Sequence, residues 1–293
     1  AIPNTVPPHS LGIANVLSSV TWSITFTVGA GIGGIVTSAF GWRVALALDA
    51  MTYLVSIAIL LPLRLAPLGQ AEGAPQGAVS WRDLTDAMRF VAGRRDAAIA
   101  LLAKPLWGLA GALTLMLTLF GERVFPLFGS PDAGIAALYM ARGIGTAIGP
   151  IAARRLYGES TRPMLRGIGL AFVVSGTGYA LLSIAPNAPF AALVVLIAHL
   201  GGSTIWFFST LILQRTVPDG MRGRVFAAEL ALATLAISAS TWFYGAWIDG
   251  AGVSLHAATR VLAGSLFAGA AVWCALALSP IARRAESPRS PAP

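Results

Sequence analysis

Long apolar runs alternate along the chain with short polar or glycine-proline punctuation. Windows of about 20 apolar residues, bounded by Gly, Pro or charge, recur over roughly 11–39, 42–63, 99–120, 133–152, 167–185, 190–214, 225–248 and 257–279. The clearest case lies between Arg166 and Arg215, where no Asp, Glu, Lys or Arg occurs. That stretch is interrupted only by Pro186-Asn187-Ala188-Pro189, so it reads as two segments of spanning length with a tight turn between them. Each segment is predicted to be helical, because a lone segment in hydrocarbon must satisfy its own backbone groups. The alternation of barrel strands is absent. The pattern predicts an all-α, polytopic membrane protein with eight transmembrane helices.

The connections orient those helices. Arg64, Arg82, Arg89, Arg94, Arg95 and Lys104 fall in one connection, and Arg154, Arg155, Arg162 and Arg166 in the next on that side. Arg215, Arg222 and Arg224 follow, and the tail adds Arg283, Arg284 and Arg289. The opposite connections hold Arg43, Arg123 and Arg260, so the positive-inside rule makes the first side cytoplasmic, with both ends of the chain facing it. Between Ser80 and Asp96, Trp81, Leu84, Met88 and Val91 recur at helical spacing among charged residues. This predicts a short amphipathic helix along the cytoplasmic interface, with Ser80 and Asp83 as a capping box.

Composition supports the membrane reading: 56% of residues are apolar and 11% charged, with a mean hydropathy of +0.74. The net charge of +8 would suggest nucleic acid in a soluble protein, but here the 19 Arg and one Lys flank apolar segments and no aromatic-interleaved basic groove is present. Nucleic acid is therefore not an expected partner. Cys274, alone, excludes an intramolecular disulfide. The opening Ala1-Ile2-Pro3-Asn4 has neither an initiator Met nor a signal-like segment, so residues upstream are expected.

An internal repeat organises the rest. Thr5-Val6-Pro7 aligns with Thr216-Val217-Pro218, and the same offset superposes Gly12 on Gly223, Gly34 on Gly245 and Gly41 on Gly252. The first pair of segments thus matches the last pair, as in transporters built from repeated halves. The expected organisation is a 1–63 region carrying the last two helices of an N-terminal bundle and a 64–98 cytoplasmic linker with its amphipathic helix. A 99–280 six-helix C-terminal bundle and a disordered 281–293 cytoplasmic tail follow.

Two six-helix halves joined by a long cytoplasmic loop resemble the major facilitator superfamily, and local motifs point to its drug-efflux and siderophore-export branch. These are Pro3-Asn4-Thr5-Val6-Pro7, Ala14-Asn15, Gly41-Trp42-Arg43 and Asp49-Ala50. Further on come Ala141-Arg142-Gly143-Ile144-Gly145, Gly149-Pro150, Gln214-Arg215-Thr216-Val217-Pro218 and Arg222-Gly223-Arg224-Val225. The resemblance implies helices 5–12 of a twelve-helix, two-bundle transporter, truncated at its N-terminus and a monomer when full length. Its exporters carry a glycine- and proline-rich motif in the fifth helix. Here the run is Gly29-Ala30-Gly31-Ile32-Gly33-Gly34, with Ala30 where Pro is usual. Small residues permit close helix approach, so Gly29, Gly31, Gly33 and Gly34 are expected to form a packing face. The same run fits a dinucleotide fingerprint, but it lies inside an apolar helix with no preceding strand.

Arg142 is the sharpest single residue, since a guanidinium inside a span costs at least about 2.5 kcal/mol unless paired or facing water. Glu122 and Glu229 are its candidate partners, although Glu122 and Arg123 can form an interfacial pair instead. Glu229, acidic and within a span, is a candidate for proton exchange during transport. Asp49 lies in a span that the resemblance places at the outside of its bundle, which suits a helix-packing role. Lys104, just before Pro105, is expected to snorkel to headgroups. Asp219, Arg222 and Arg224 form a turn entering a helix, readable as a cytoplasmic gate latch or a topology anchor, with Glu159 among the possible partners. The resemblance puts Trp107, Tyr139, Trp206, Phe207 and Phe208 on cavity-lining helices, although core packing explains any one of them. His9, His199 and His256 are scattered, so neither a metal site nor a cofactor is expected.

The leading expectation is efflux of a small amphipathic drug or siderophore by alternating access, through proton antiport, in a bacterial inner membrane. Its partners would be the substrate, protons and the bilayer. The alternatives are a non-transporting fragment or helix-packing scaffold, and a membrane enzyme, for which no clustered catalytic set is present.

Overall fold

The computed structural model describes residues 6–62 and 81–277. Among the described residues ten α-helices follow a 3-10 turn at Pro8–Ser10: α1 Leu11–Phe40, α2 Trp42–Leu60, α3 Trp81–Ala92, α4 Arg95–Gly108 and α5 Leu113–Arg123. The remainder are α6 Pro131–Tyr157, α7 Thr161–Leu182, α8 Ala188–Thr216, α9 Asp219–Gly250 and α10 Leu255–Ala277. Taking α4 and α5 together, eight helical segments among the described residues are long and apolar enough to cross a membrane. The expected Ser80–Asp83 cap, the opening Pro3-Asn4-Thr5 and the tail 281–293 lie outside the described residues.

Helix ends follow local chemistry. Ser130 accepts a hydrogen bond from the Ala133 N–H ahead of Pro131, and Asn187 accepts one from the Phe190 N–H. Gly41 and Gly252, paired by the sequence repeat, close α1 and follow α9 with φ of 83° and 65°. The repeat therefore extends to backbone conformation.

Two boundaries differ from expectation. The 99–120 segment begins four residues early at Arg95, and it breaks over Leu109–Ala112. Pro105 removes a backbone donor, and Gly108 and Gly111 approach α9 too closely for side chains. A Cβ on Gly111 would lie 2.5 Å from Ile237 Cα. The Ala112 N–H freed by the break donates to Ser240 Oγ of α9 at 3.2 Å. The second difference is at 218–224, where the expected turn is already the first turns of α9. Pro218 is its N-cap, and Asp219 sits where an acid suits the helix dipole.

The core lies among α4, α5, α6, α7, α8 and α10. Glycines let α7 and α8 touch: a Cβ on Gly201 would be 2.3 Å from the Ala171 carbonyl, and one on Gly178 would be 2.6 Å from Ala198 Cβ. Trp273 of α10 is fully buried and donates to the Leu165 carbonyl at 2.8 Å. In contrast, α1 lies along α6, and α2 rests on α1 with no buried residue. The amphipathic α3 seats Ala87 and Val91 against the core and leaves Arg82 and Arg89 exposed.

Candidate functional site

Two charged sites lie at depth in the helices. The first is built by α4, α8 and α9. Lys104 Nζ is 2.7 Å from Glu229 Oε2 and 2.9 Å from Thr210 Oγ1, and both charged side chains are nearly inaccessible. The ammonium also sits 4.9 Å from the Trp206 ring centroid and 5.8 Å from that of Phe226. Trp107 meets Trp206 edge-on at 6.1 Å. Glu229 Oε1 and Trp107 Nε1 are both buried without a hydrogen-bond partner among the described residues. Lys104 thus does not snorkel. Because α4 starts at Arg95, Lys104 stands about 14 Å into the helix, beyond the reach of its own stem to a headgroup.

The second site lies on the seam of α1 and α6. Arg142 is half-buried, its guanidinium carbon 4.9 Å from the Phe26 ring and 5.8 Å from the Tyr139 ring. Phe26 stacks on Trp22 at 5.2 Å. Tyr139 is anchored from α5, its hydroxyl 3.1 Å from Thr118 Oγ1 and 3.3 Å from the Thr114 carbonyl. Neither carboxylate expected to pair with Arg142 does so. Glu229 is taken by Lys104, and Glu122 lies 3.8 Å from its neighbour Arg123, at the exposed end of α5. The reason is directional: side chains on one helix reach only what its own face meets, and Arg142 faces α1 rather than α9.

The seam itself is a stripe of small residues. A Cβ on Gly34 would meet Ala136 Cβ at 2.2 Å, one on Gly31 would meet Met140 Sδ at 3.1 Å, and Gly143 of α6 leaves the same kind of room for Thr27. Gly29 and Gly33 have nothing within 4 Å among the described residues, so the glycine run divides into a packed and an open face. At one end of the seam Asn15 and Gln214 exchange two buried hydrogen bonds, 2.6 and 3.2 Å, and Gly12 approaches the Glu159 carboxylate. At the other, Ser38 and Ser130 hydroxyls are 2.9 Å apart.

Glu159, between α6 and α7, joins Arg154 Nε at 2.6 Å and also Arg215 of α8. Burial alone pushes its carboxyl up, but hydrogen bonds from Arg154 and Arg215, with their charges, hold it below the usual carboxylate range. Arg222 pairs with Asp219 at 2.8 Å and donates to the Val217 carbonyl, and Arg224 donates to the Gly220 carbonyl.

The five aromatics do not line one cavity. Phe207 and Phe208 are packed in the core, Phe208 edge-on to Tyr157, while Trp107 and Trp206 attend Lys104 and Tyr139 attends Arg142. Asp49 is exposed on α2. Among the described residues, no three His, Cys, Asp or Glu side chains gather as a metal ion would need. Sequence reasoning assigned Lys104 to the headgroups, used Asn15 and Gln214 only as family motifs, and passed over Thr210 and Phe26. The one available signal was that Lys104 is the sole lysine and lies in an apolar run, four residues after Ala100.

Apolar helices of spanning length that enclose charged groups at depth define a polytopic α-helical membrane protein. The chain belongs to the major facilitator superfamily, whose sequence profile matches residues 1–241. No curated protein sequence matches it. In fold it is similar to a bacterial homologue of the iron transporter ferroportin, crystallised in an outward-facing state, at 15% identity and a TM-score of 0.50. The match covers 94% of this chain and 65% of that one, so the chain spans less than two-thirds of that protein's length. At this identity the likeness concerns the fold alone.

Proposed function

We propose that the chain exports a small amphipathic molecule, of the drug or siderophore kind, by alternating access driven by proton antiport across a bacterial inner membrane. The observation that carries this reading is the Lys104–Glu229 pair, a buried and net-neutral contact joining α4 to α9. A pair of this kind can exist in two states. With both groups charged the helices are held together, and a proton delivered to Glu229 leaves Lys104 without its counter-charge and frees the helices to part. The unpartnered Glu229 Oε1 is where that proton would bind.

In this reading residues 1–63 belong to one rocking body and 99–280 to the other, with α3 in the linker at the cytoplasmic surface, and the Lys104–Glu229 contact controls helix movement within the second body. Both ends of the chain then face the cytoplasm, an orientation that the loop arginines support. Asp219, Arg222 and Arg224, with the Glu159 cluster, close the cytoplasmic side. The full protein works as a monomer.

The test uses the complete protein in proteoliposomes under a fixed pH gradient, with a panel of dyes, macrolides and catechol siderophores. Glu229→Gln leaves Lys104 unpaired, so the double variant Lys104→Met/Glu229→Gln, which removes both charges, is assayed beside it. Both are expected to lose proton-driven export. Unchanged export by the double variant removes Glu229 from the coupling mechanism.

A further inference from the structure

Arg142 stands in an unusual position for a guanidinium. It lies about 16 Å along α6 from the Pro131 end and about 22 Å from the Tyr157 end. Its side chain cannot carry the charge to a lipid phosphate at either membrane surface from there. Among the described residues no carboxylate lies within ion-pair distance, and none supplies an acceptor to its N–H groups. The Phe26 and Tyr139 ring faces stabilise its charge, with the buried Tyr179 also in electrostatic range, and ring contacts worth roughly 0.5–2 kcal/mol each offset part of the cost of holding the charge at depth without accepting from any of its N–H groups. Its five directional donors have no hydrogen-bond acceptor among the described residues and are available to a solute.

The surroundings describe what arrives. Gly143, the next residue, packs beside Thr27 of α1, so the seam closes on one side of the guanidinium. On the other side the rings of Tyr139, Phe26 and Trp22 form a continuous stack, with centroids 6.0 and 5.2 Å apart, and Trp22 at its end is 54% exposed. A planar donor fork next to an open run of aromatic faces fits a carboxylate carried on an aromatic body. The acid would pair with the fork in a bidentate manner, and its ring would extend the stack.

We infer that Arg142 is the recognition group for an anionic solute, and that the molecule moved by this protein is an aromatic or otherwise apolar carboxylic acid. The inference rests on the export reading for the word "moved", but the binding claim stands apart from it. An acid bound at Arg142 neutralises the second of the two charged sites at depth, as Glu229 already neutralises Lys104 in the first.

The experiment measures binding of matched probes to the complete protein in nanodiscs by quenching of tryptophan fluorescence: benzoate, 1-naphthoate and 1-naphthylacetate, each against its carboxamide. The expected result is at least about a tenfold preference for acid over amide in the unmodified protein. Arg142→Gln should bring that ratio to about one while amide binding is retained. Arg142→Lys, which keeps the charge but loses the fork, should fall between the two. Equal binding of acids and amides by the unmodified protein, or absence of binding by the whole series, overturns the inference. So does a preference that survives Arg142→Gln. Gradient-driven flux is measured on the same preparations. Acid-selective binding without flux defeats the export reading and leaves the anion site, whereas flux indifferent to the acid group does the reverse.

Discussion

Lys104 and Arg142 are both cations on helices that enter the apolar layer, yet they are held in opposite ways. Lys104 is enclosed by three helices, with a carboxylate at 2.7 Å, a hydroxyl at 2.9 Å and an indole face beneath it. Arg142 rests on ring faces at a seam between two helices, without a carboxylate beside it among the described residues. The first arrangement balances its charges within the protein, although Glu229 Oε1 is left without a hydrogen-bond partner among the described residues. The second is a charge placed at a cost to stability, which is how binding sites differ from structural pairs.

Breaking the charge-balanced site should have the largest effect. Lys104→Met leaves Glu229 buried and unpaired and should cost about 3–5 kcal/mol, read as a fall in the melting temperature of the purified protein, while Lys104→Met/Glu229→Gln recovers most of it. If the single variant melts like the unmodified protein, the two sites do not differ as described. Arg142→Gln should move the other way, raising stability by about 1–2 kcal/mol in the absence of solute, because it removes an uncompensated charge. A loss of stability there would show that Arg142 has a structural partner. The smallest effect is expected at Glu159. Its carboxyl is held below its ordinary value of 4.5, so its contribution is complete above that pH and is lost as the pH falls below it. Being partly exposed, the cluster is worth at most about 1 kcal/mol. Melting curves from pH 6 to pH 3 should therefore show a shallow decline that Glu159→Gln removes.

Much of the fold was legible because membrane helices announce themselves by length and apolarity, which are local properties. All eight segments appear, and the repeat read from Thr216-Val217-Pro218 and three glycine pairs has a physical counterpart in the positive φ of Gly41 and Gly252. Helix ends were less legible. Arg95 and Asp96 open α4 although they are charged, because α3 already supplies the turn before them. The pairing of charges was least legible. Which cation meets Glu229 on α9 depends on how helices rotate and cross, information that no single segment carries. Arg142 was recognisable as significant from its cost alone, but its ring contacts depend on Phe26, 116 positions away and on another helix. The glycine run shows the same limit, since spacing cannot say that Gly31 and Gly34 would be the packed members and Gly29 and Gly33 the open ones.

The break at Leu109–Ala112 bears on how the two charges communicate. It turns one membrane crossing into two short arms with a joint at mid-depth, steadied by Ser240. Lys104 rides on the first arm, while Thr114 and Thr118 on the second hold the tyrosine against which Arg142 rests. In the proposed cycle a bend at that joint would tilt the lysine and shift the tyrosine in one movement, linking the Lys104–Glu229 contact at one end to the ring contact of Arg142 at the other.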